Sequence, residues 1–184
     1  MESEDKKLEI TTKITYDIYR KYHMFSLFRG RLYKRGPAIF FIIVIIGGGI
    51  SLFSGLSFGF DLVDILLLSV LFLMTLFMIF LLFISPKIYY KSSKTLIEAE
   101  VRYDFWEDYM VVEAESELAN GSSKITYSAL HKVYEIEELI LLYLNNRQAY
   151  IIPKKSCTEE DINNLRIILE RKVEKYVNYF RRNN

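Results

Sequence analysis

The sequence predicts an α-helical membrane hairpin joined to a mainly β (α+β) domain that ends in a helix. Three observations predict it. Residues 37–86 hold two apolar runs, spans of about 38–60 and 63–85, with no Lys or Arg inside. Each is near the ~20 residues needed to cross ~30 Å of hydrocarbon. Leu8–Tyr16 and the chain after residue 100 alternate apolar and polar side chains, the period of half-buried strands. From Glu159 the period becomes that of an amphipathic helix.

Composition sets bounds on this reading. Of 184 residues, 51% are apolar, and the net charge is +1. That charge gives no reason to expect nucleic-acid binding, and the basic residues crowd the ends of the apolar stretch. With a single cysteine, Cys157, no intrachain disulfide forms. The start, MESEDKK, lacks the apolar core of a signal peptide, so the first span is expected to act as its own targeting signal.

Residues 1–17 form the first predicted element. Leu8, Ile10, Thr12, Ile14 and Tyr16 alternate with Glu9, Thr11, Lys13 and Thr15. A lone strand is not stable, and none precedes the hairpin, so its partner is expected beyond it. Residues 18–36 follow. Ile18, Tyr22 and Phe25 have helical spacing, and cations and aromatics gather before the span, as in an interfacial segment. Lys and Arg flank the hairpin on both sides, while its turn carries only Asp61 and Asp64. The positive-inside rule therefore puts both termini in the cytoplasm. Gly47, Ser51, Gly55 and Gly59 recur every four residues on one face, where another helix can approach closely. Packing between the two spans is the expected use of that face, with homodimerisation as the alternative. No ionisable residue lies deep in either span, which argues against transport.

Residues 95–184 are the predicted soluble domain. Strands are expected near Val101–Phe105, Tyr109–Glu117, Ser122–Ser128, Lys132–Glu137, Ile140–Leu144 and Gln148–Ile152. Asn120-Gly121 has the composition of a type I′ hairpin turn. Asn145 and Asn146 make the next turn, and Pro153 closes the last strand. Ser156 and Thr158 are N-cap candidates ahead of Glu159, Glu160 and Asp161. The stripe Ile162, Leu165, Leu169, Val173, Tyr176 and Phe180 predicts a helix over about 159–180. With the first strand, this makes about seven strands in a bent antiparallel sheet capped by a helix. That is the pleckstrin-homology plan, with the hairpin inserted after the first strand.

Three segments carry a family resemblance: Tyr103-Asp-Phe-Trp-Glu-Asp, Ser123-Lys-Ile-Thr-Tyr127-Ser-Ala-Leu130-His-Lys-Val133-Tyr-Glu, and Tyr150-Ile-Ile-Pro-Lys154. Together they resemble the YcxB-like family. The resemblance implies two spans, a pleckstrin-homology-like C-terminal domain in the cytoplasm, and a Gram-positive-type inner-membrane protein. Lys155-Ser156-Cys157 departs from the aromatic usual after the Pro-Lys step. On the residues themselves, Tyr127 and Val133 are expected in the core. Lys154 is expected either to point away from the helix N-terminus or to meet an acidic partner.

No catalytic set is visible. His23 and His131 have no ligand-type neighbours, and a metal site needs three or four ligands. Cys157 precedes a helix N-terminus but has no base beside it. Glu113, Glu115 and Glu117 line one strand face, as solvated carboxylates do. Gly47-Gly48-Gly49 lies in a span, so it is no phosphate loop. The basic set Arg29, Arg31, Lys34, Arg35, Lys87, Lys91 and Lys94 is expected to contact anionic lipid while setting topology. These features predict a non-enzymatic inner-membrane protein without cofactors. Its cytoplasmic domain is expected to act as an interaction or scaffold module, with membrane lipids and a protein partner or second copy as its contacts. The alternative is a resistance or immunity protein against membrane-active bacteriocins.

Overall fold

The first strand finds its partner beyond the hairpin in sequence. β1 (Leu8–Lys13) pairs antiparallel with β2 (Glu100–Phe105), Leu8 opposite Phe105 and Lys13 opposite Glu100. Leu8, Ile10 and Thr12 turn inward while Glu9, Thr11 and Lys13 face solvent, as the alternation requires. The structure, a computed structural model, describes residues 6–28, 35–92, 100–115, 120–146 and 148–179. Two units divide the chain: Met1–Tyr22 with Ser93–Asn184, and His23–Ser92.

In the first unit, β3 (Tyr109–Glu115) and β4 (Asn120–Thr126) continue the antiparallel sheet in the order β1-β2-β3-β4. A second sheet has the order β7-β6-β5-β8, from β5 (Lys132–Glu135), β6 (Leu139–Tyr143), β7 (Ala149–Pro153) and β8 (Tyr176–Asn178). Every pairing is antiparallel except β5 with β8. The inner faces meet in a core that includes Ile10, Phe105, Met110, Val133 and Ile152. Each such side chain adds ~1.5–3 kcal/mol by leaving water. The C-terminal helix (Glu159–Lys172) closes the core with Leu165 and Leu169, both fully buried. It starts with a capping box: Thr158 Oγ1 accepts from Asp161 N–H, and the Asp161 carboxylate accepts from Thr158 N–H.

Four expectations are corrected here. The strands number eight among the described residues and divide between two sheets, instead of seven in one bent sheet. The C-terminal helix stops at Lys172, not near residue 180, because Val173 is extended (φ −107°, ψ 128°). Tyr176–Asn178 then pairs with β5 as a strand. Tyr176 satisfies both periods, which is why the helical stripe ran on too far; Phe180 lies outside the described residues. Asn120 and Gly121 are no turn. They open β4, opposite Glu115 and Ala114, so the connection is residues 116–119, outside the described set. Tyr127 is not in a strand but in a 3₁₀ turn (Tyr127–Ala129), although its ring is buried as expected.

The second unit holds two long apolar helices. After α1 (Tyr16–Leu27), which begins in the first unit, come α2 (Gly36–Phe58) and α3 (Leu62–Ile79). A π turn (Phe80–Ile84) then leads into α4 (Ser85–Ser92), so the second helix is continuous from Leu62 to Ser92. Only 11% of the most apolar window of each helix is buried within the protein. A soluble core helix would be buried instead, so both are long and apolar enough to cross a membrane and expose that surface to hydrocarbon. At the turn, Gly59 takes φ +91°, a conformation open to glycine, and Asp61 caps α3 by accepting from Asp64 N–H at 2.8 Å.

The second span was expected to end near residue 85, yet the helix runs on through Pro86. The π turn accounts for this. Ser85 N–H bonds Phe80 C=O in the wider register. The next bond in that register would join residue 86 to Leu81, and proline has no N–H to give. His23 Nε2, carrying its proton, lies 3.3 Å from the Leu81 carbonyl and takes the missing donor's place.

Candidate functional site

Two open clefts of the first unit differ in their linings. One, of about 330 Å³, lies between the β2–β3 turn and the C-terminal helix, with Lys7, Trp106, Ile168, Arg171 and Lys172 on its wall. Its charges are largely paired. Lys7 meets Glu107, and Lys172 meets Asp108 at 2.9 Å.

The other, of about 440 Å³, is lined by Ile14, by Tyr19 and Tyr22 of α1, by Val101 and Tyr103 of β2 and by Val112 and Ala114 of β3. Leu144, Gln148, Ala149, Tyr150 and Ile151 complete it, from β7 and the connection before it. Among the described residues, no Asp, Glu, Lys, Arg or His lines it. It exists because the alternation on β2 and β3 turns apolar side chains toward the second sheet at a point that the C-terminal helix does not fill. Tyr103 OH donates to Ile151 C=O at 3.3 Å, and its ring stands edge-on to that of Tyr150. Burial pushes the Tyr103 and Tyr150 hydroxyls above their ordinary range, so both stay neutral donors. An uncharged, tyrosine-lined cleft of this size fits an apolar, neutral partner.

Among the described residues, the one fully buried carboxylate is Glu135, at the end of β5. Arg166 grips it with two nitrogens, Nη2 to Oε1 at 2.7 Å and Nε to Oε2 at 3.0 Å. Lys154 Nζ donates to Oε1 at 2.7 Å, Asn178 Nδ2 to Oε2 at 2.8 Å, and Tyr176 OH to Oε2. Burial alone would push the carboxyl up, but the bonds from Arg166, Lys154 and Tyr176 outweigh it and hold it at about 2. With five donors on two oxygens, the carboxylate has no free lone pair to act as a base. It is a junction joining β5, β7, the C-terminal helix and β8. Lys154 therefore meets an acidic partner, one of the two alternatives the sequence left open.

The remaining sequence candidates fall elsewhere. Cys157 is half-buried, and burial raises its thiol to about 11, so it is no activated nucleophile. His23 serves the π turn, and His131 is exposed. Among the described residues no cluster of three metal-ligating side chains occurs. Glu113 pairs with Arg102; Glu115 is exposed, and Glu117 lies outside the described residues.

Of the basic set, Arg35, Lys87 and Lys91 are exposed, while Arg29, Arg31, Lys34 and Lys94 lie outside the described residues. The small-residue face is turned inward within the hairpin at two points. Ser51 Oγ donates to Asp64 Oδ1 at 3.0 Å, and Gly55 is buried under the Phe60 ring. Gly47 has only Leu71 nearby, and Gly59 caps α2. Sequence reasoning missed both the cleft and the Glu135 junction. An acidic residue amid Val133, Tyr134 and Ile136 was the one available signal for the junction.

No curated protein and no solved structure matches the chain. A protein-family model described as YcxB-like protein matches residues 107–166. That stretch runs from the β2–β3 turn into the C-terminal helix and includes Glu135, Lys154 and Arg166. Over about a third of its length, then, the chain is similar to the YcxB-like family, the one its motifs resemble.

Proposed function

We propose that this chain is a non-enzymatic protein of the bacterial inner membrane whose β domain is a membrane-held binding module. The single observation behind this is the tyrosine-lined cleft, which has the size of a ligand site and no charged group for chemistry. The order of elements supports a pleckstrin-homology-like domain: four antiparallel strands, three more antiparallel strands, then a closing helix, with β8 as an addition. Strands from both sides of the hairpin pair directly, so both connections from the membrane lead into neighbouring strands of one sheet. Lys and Arg on both flanks of the hairpin favour a cytoplasmic domain, with Arg35, Lys87 and Lys91 available to anionic headgroups.

Site-specific photo-crosslinking in intact membranes tests this. A benzophenone amino acid placed at Tyr22 or Leu144, in the cleft, is expected to capture a discrete partner. The same group at Lys124, on exposed β4, is expected not to. Equal labelling from both places, or none from the cleft, removes the binding-module reading.

A further inference from the structure

The cleft is bordered by a strand edge, and the hydrogen-bond register of that edge states what it offers. β7 ends the second sheet, with β6 on one side and, among the described residues, no strand on the other. Leu144 N–H bonds Gln148 C=O, and Lys154 N–H bonds Glu138 C=O. Antiparallel ladders alternate, so the bonded pairs between these points are Leu142 with Tyr150 and Ile140 with Ile152. Tyr143 confirms the phase from the other side: its carbonyl accepts from His131 N–H, toward β5. Ala149 and Ile151 therefore turn their backbone groups away from β6. The Ile151 carbonyl receives the Tyr103 hydroxyl. Among the described residues, that leaves Ala149 N–H, Ala149 C=O and Ile151 N–H along the outer edge, beside the cleft that Ala149, Tyr150 and Ile151 also line.

We infer that the cleft binds an extended, uncharged polypeptide segment that adds to β7 as an edge strand. This rests on the binding-module reading and names its partner class. Ala149 exchanges two backbone bonds with one residue of the segment, and Ile151 N–H donates to another, two positions along. Alternate side chains of the segment enter the cleft, where Val101, Val112 and Ala114 offer apolar walls. Charged side chains at those positions are rejected, because the lining has no counter-charge. An acyl chain would fill the same apolar space but leave the three backbone groups without partners.

The test uses the full chain in lipid nanodiscs. One probe is an acetylated, amidated octapeptide of alternating Thr and Val; the other is palmitate. Amide hydrogen exchange is read residue by residue on β7. The peptide is expected to slow exchange at Ala149 and Ile151 at least tenfold, with no such change at Tyr150 and Ile152, which β6 already protects. N-methylation of the peptide at every Val in one version and at every Thr in another is expected to abolish the effect in at least one. Ala149→Pro removes an edge donor that β6 does not use, and is expected to weaken binding at least tenfold. Ala114→Leu narrows the cleft without touching the edge and is expected to do the same, which guards against misfolding of the proline variant. Palmitate binding that blocks the cleft, with no slowing of Ala149 or Ile151 by peptide, overturns the strand inference but leaves the binding module standing. Peptide binding without slowing at those two amides also overturns it. An empty cleft with both probes overturns it too; the crosslinking experiment then decides separately whether any partner uses the cleft.

Discussion

Replacing Glu135 with Gln tests the junction that joins four elements of the β domain. The change keeps the volume and removes the charge. Lys154 and Arg166 then lose their shared counter-ion, and breaking one side of a buried ion pair costs ~3–5 kcal/mol. The side chains of Lys154 and Arg166 retain 17% and 30% exposure, so water takes up part of the loss and the lower end, ~3 kcal/mol, applies. Proton linkage gives an independent figure. The carboxyl sits at about 2 in the fold against an ordinary 4.5. At ~1.4 kcal/mol per pKa unit, that gap is also worth ~3 kcal/mol. The folded value lies below the unfolded one, so this stability is fully present above about pH 4.5 and is lost as pH falls toward about 2. Trp106, the only tryptophan, lies in the β domain and reports its unfolding. Urea titration of the detergent-solubilised protein at pH 7 should show Glu135→Gln less stable by ~3 kcal/mol. Between pH 4.5 and 2 the wild type should lose stability more steeply than the variant. Equal stability at pH 7, or the same acid slope in both proteins, refutes the reasoning.

Three further predictions concern the membrane hairpin and the first strand. His23→Ala leaves the Leu81 carbonyl without a donor and should cost ~1–3 kcal/mol in detergent unfolding. In a Pro86→Ala background, where residue 86 regains its N–H, that cost should fall close to zero; an unchanged cost would show that His23 acts otherwise. Gly59→Val forces a β-branched residue to φ +91° and should cost ~1–3 kcal/mol, read as a lower midpoint of hairpin unfolding in SDS. Ile10→Ala, at a position 2% exposed, should cost the β domain ~2–5 kcal/mol, and deletion of residues 1–13 should make residues 100–179 protease-sensitive. Undiminished protease resistance after that deletion would mean that β1 is dispensable.

Much of the scaffold was legible because it follows local rules. The alternation over Leu8–Tyr16 marked β1, although the strand stops at Lys13; Pro153 marked the end of β7; and Thr158, one of two N-cap candidates, opens the helix at Glu159. The failures share one cause, which is that the deciding contact is distant in sequence. Asn120-Gly121 has turn chemistry, but the β3–β4 register puts both residues inside β4. Tyr176 fits a helical stripe, but Glu135 and the β5 edge draw it into a strand. The second span was expected to end near residue 85, but the helix continues through Pro86, and a histidine more than sixty residues earlier supplies the bond that proline cannot. The cleft has no local signature at all. It arises where two sheets part, and each of its residues reads alone as ordinary core.

The pairing of β1 with β2 also fixes an order of events during synthesis. β1 leaves the ribosome first and has nothing to pair with until both apolar helices and the start of the β domain have been made. Closing a long, featureless loop between Lys13 and Glu100 would be entropically costlier than closing a short one by ~1–2 kcal/mol, since the cost grows with the logarithm of loop length. An inserted antiparallel hairpin removes much of that difference, because it brings its own two ends back together. On the proposed membrane placement, completion of the sheet is coupled to insertion. A chain that fails to enter the membrane carries an unpaired first strand and an open β2 edge, the state that quality-control proteases and aggregation both act on.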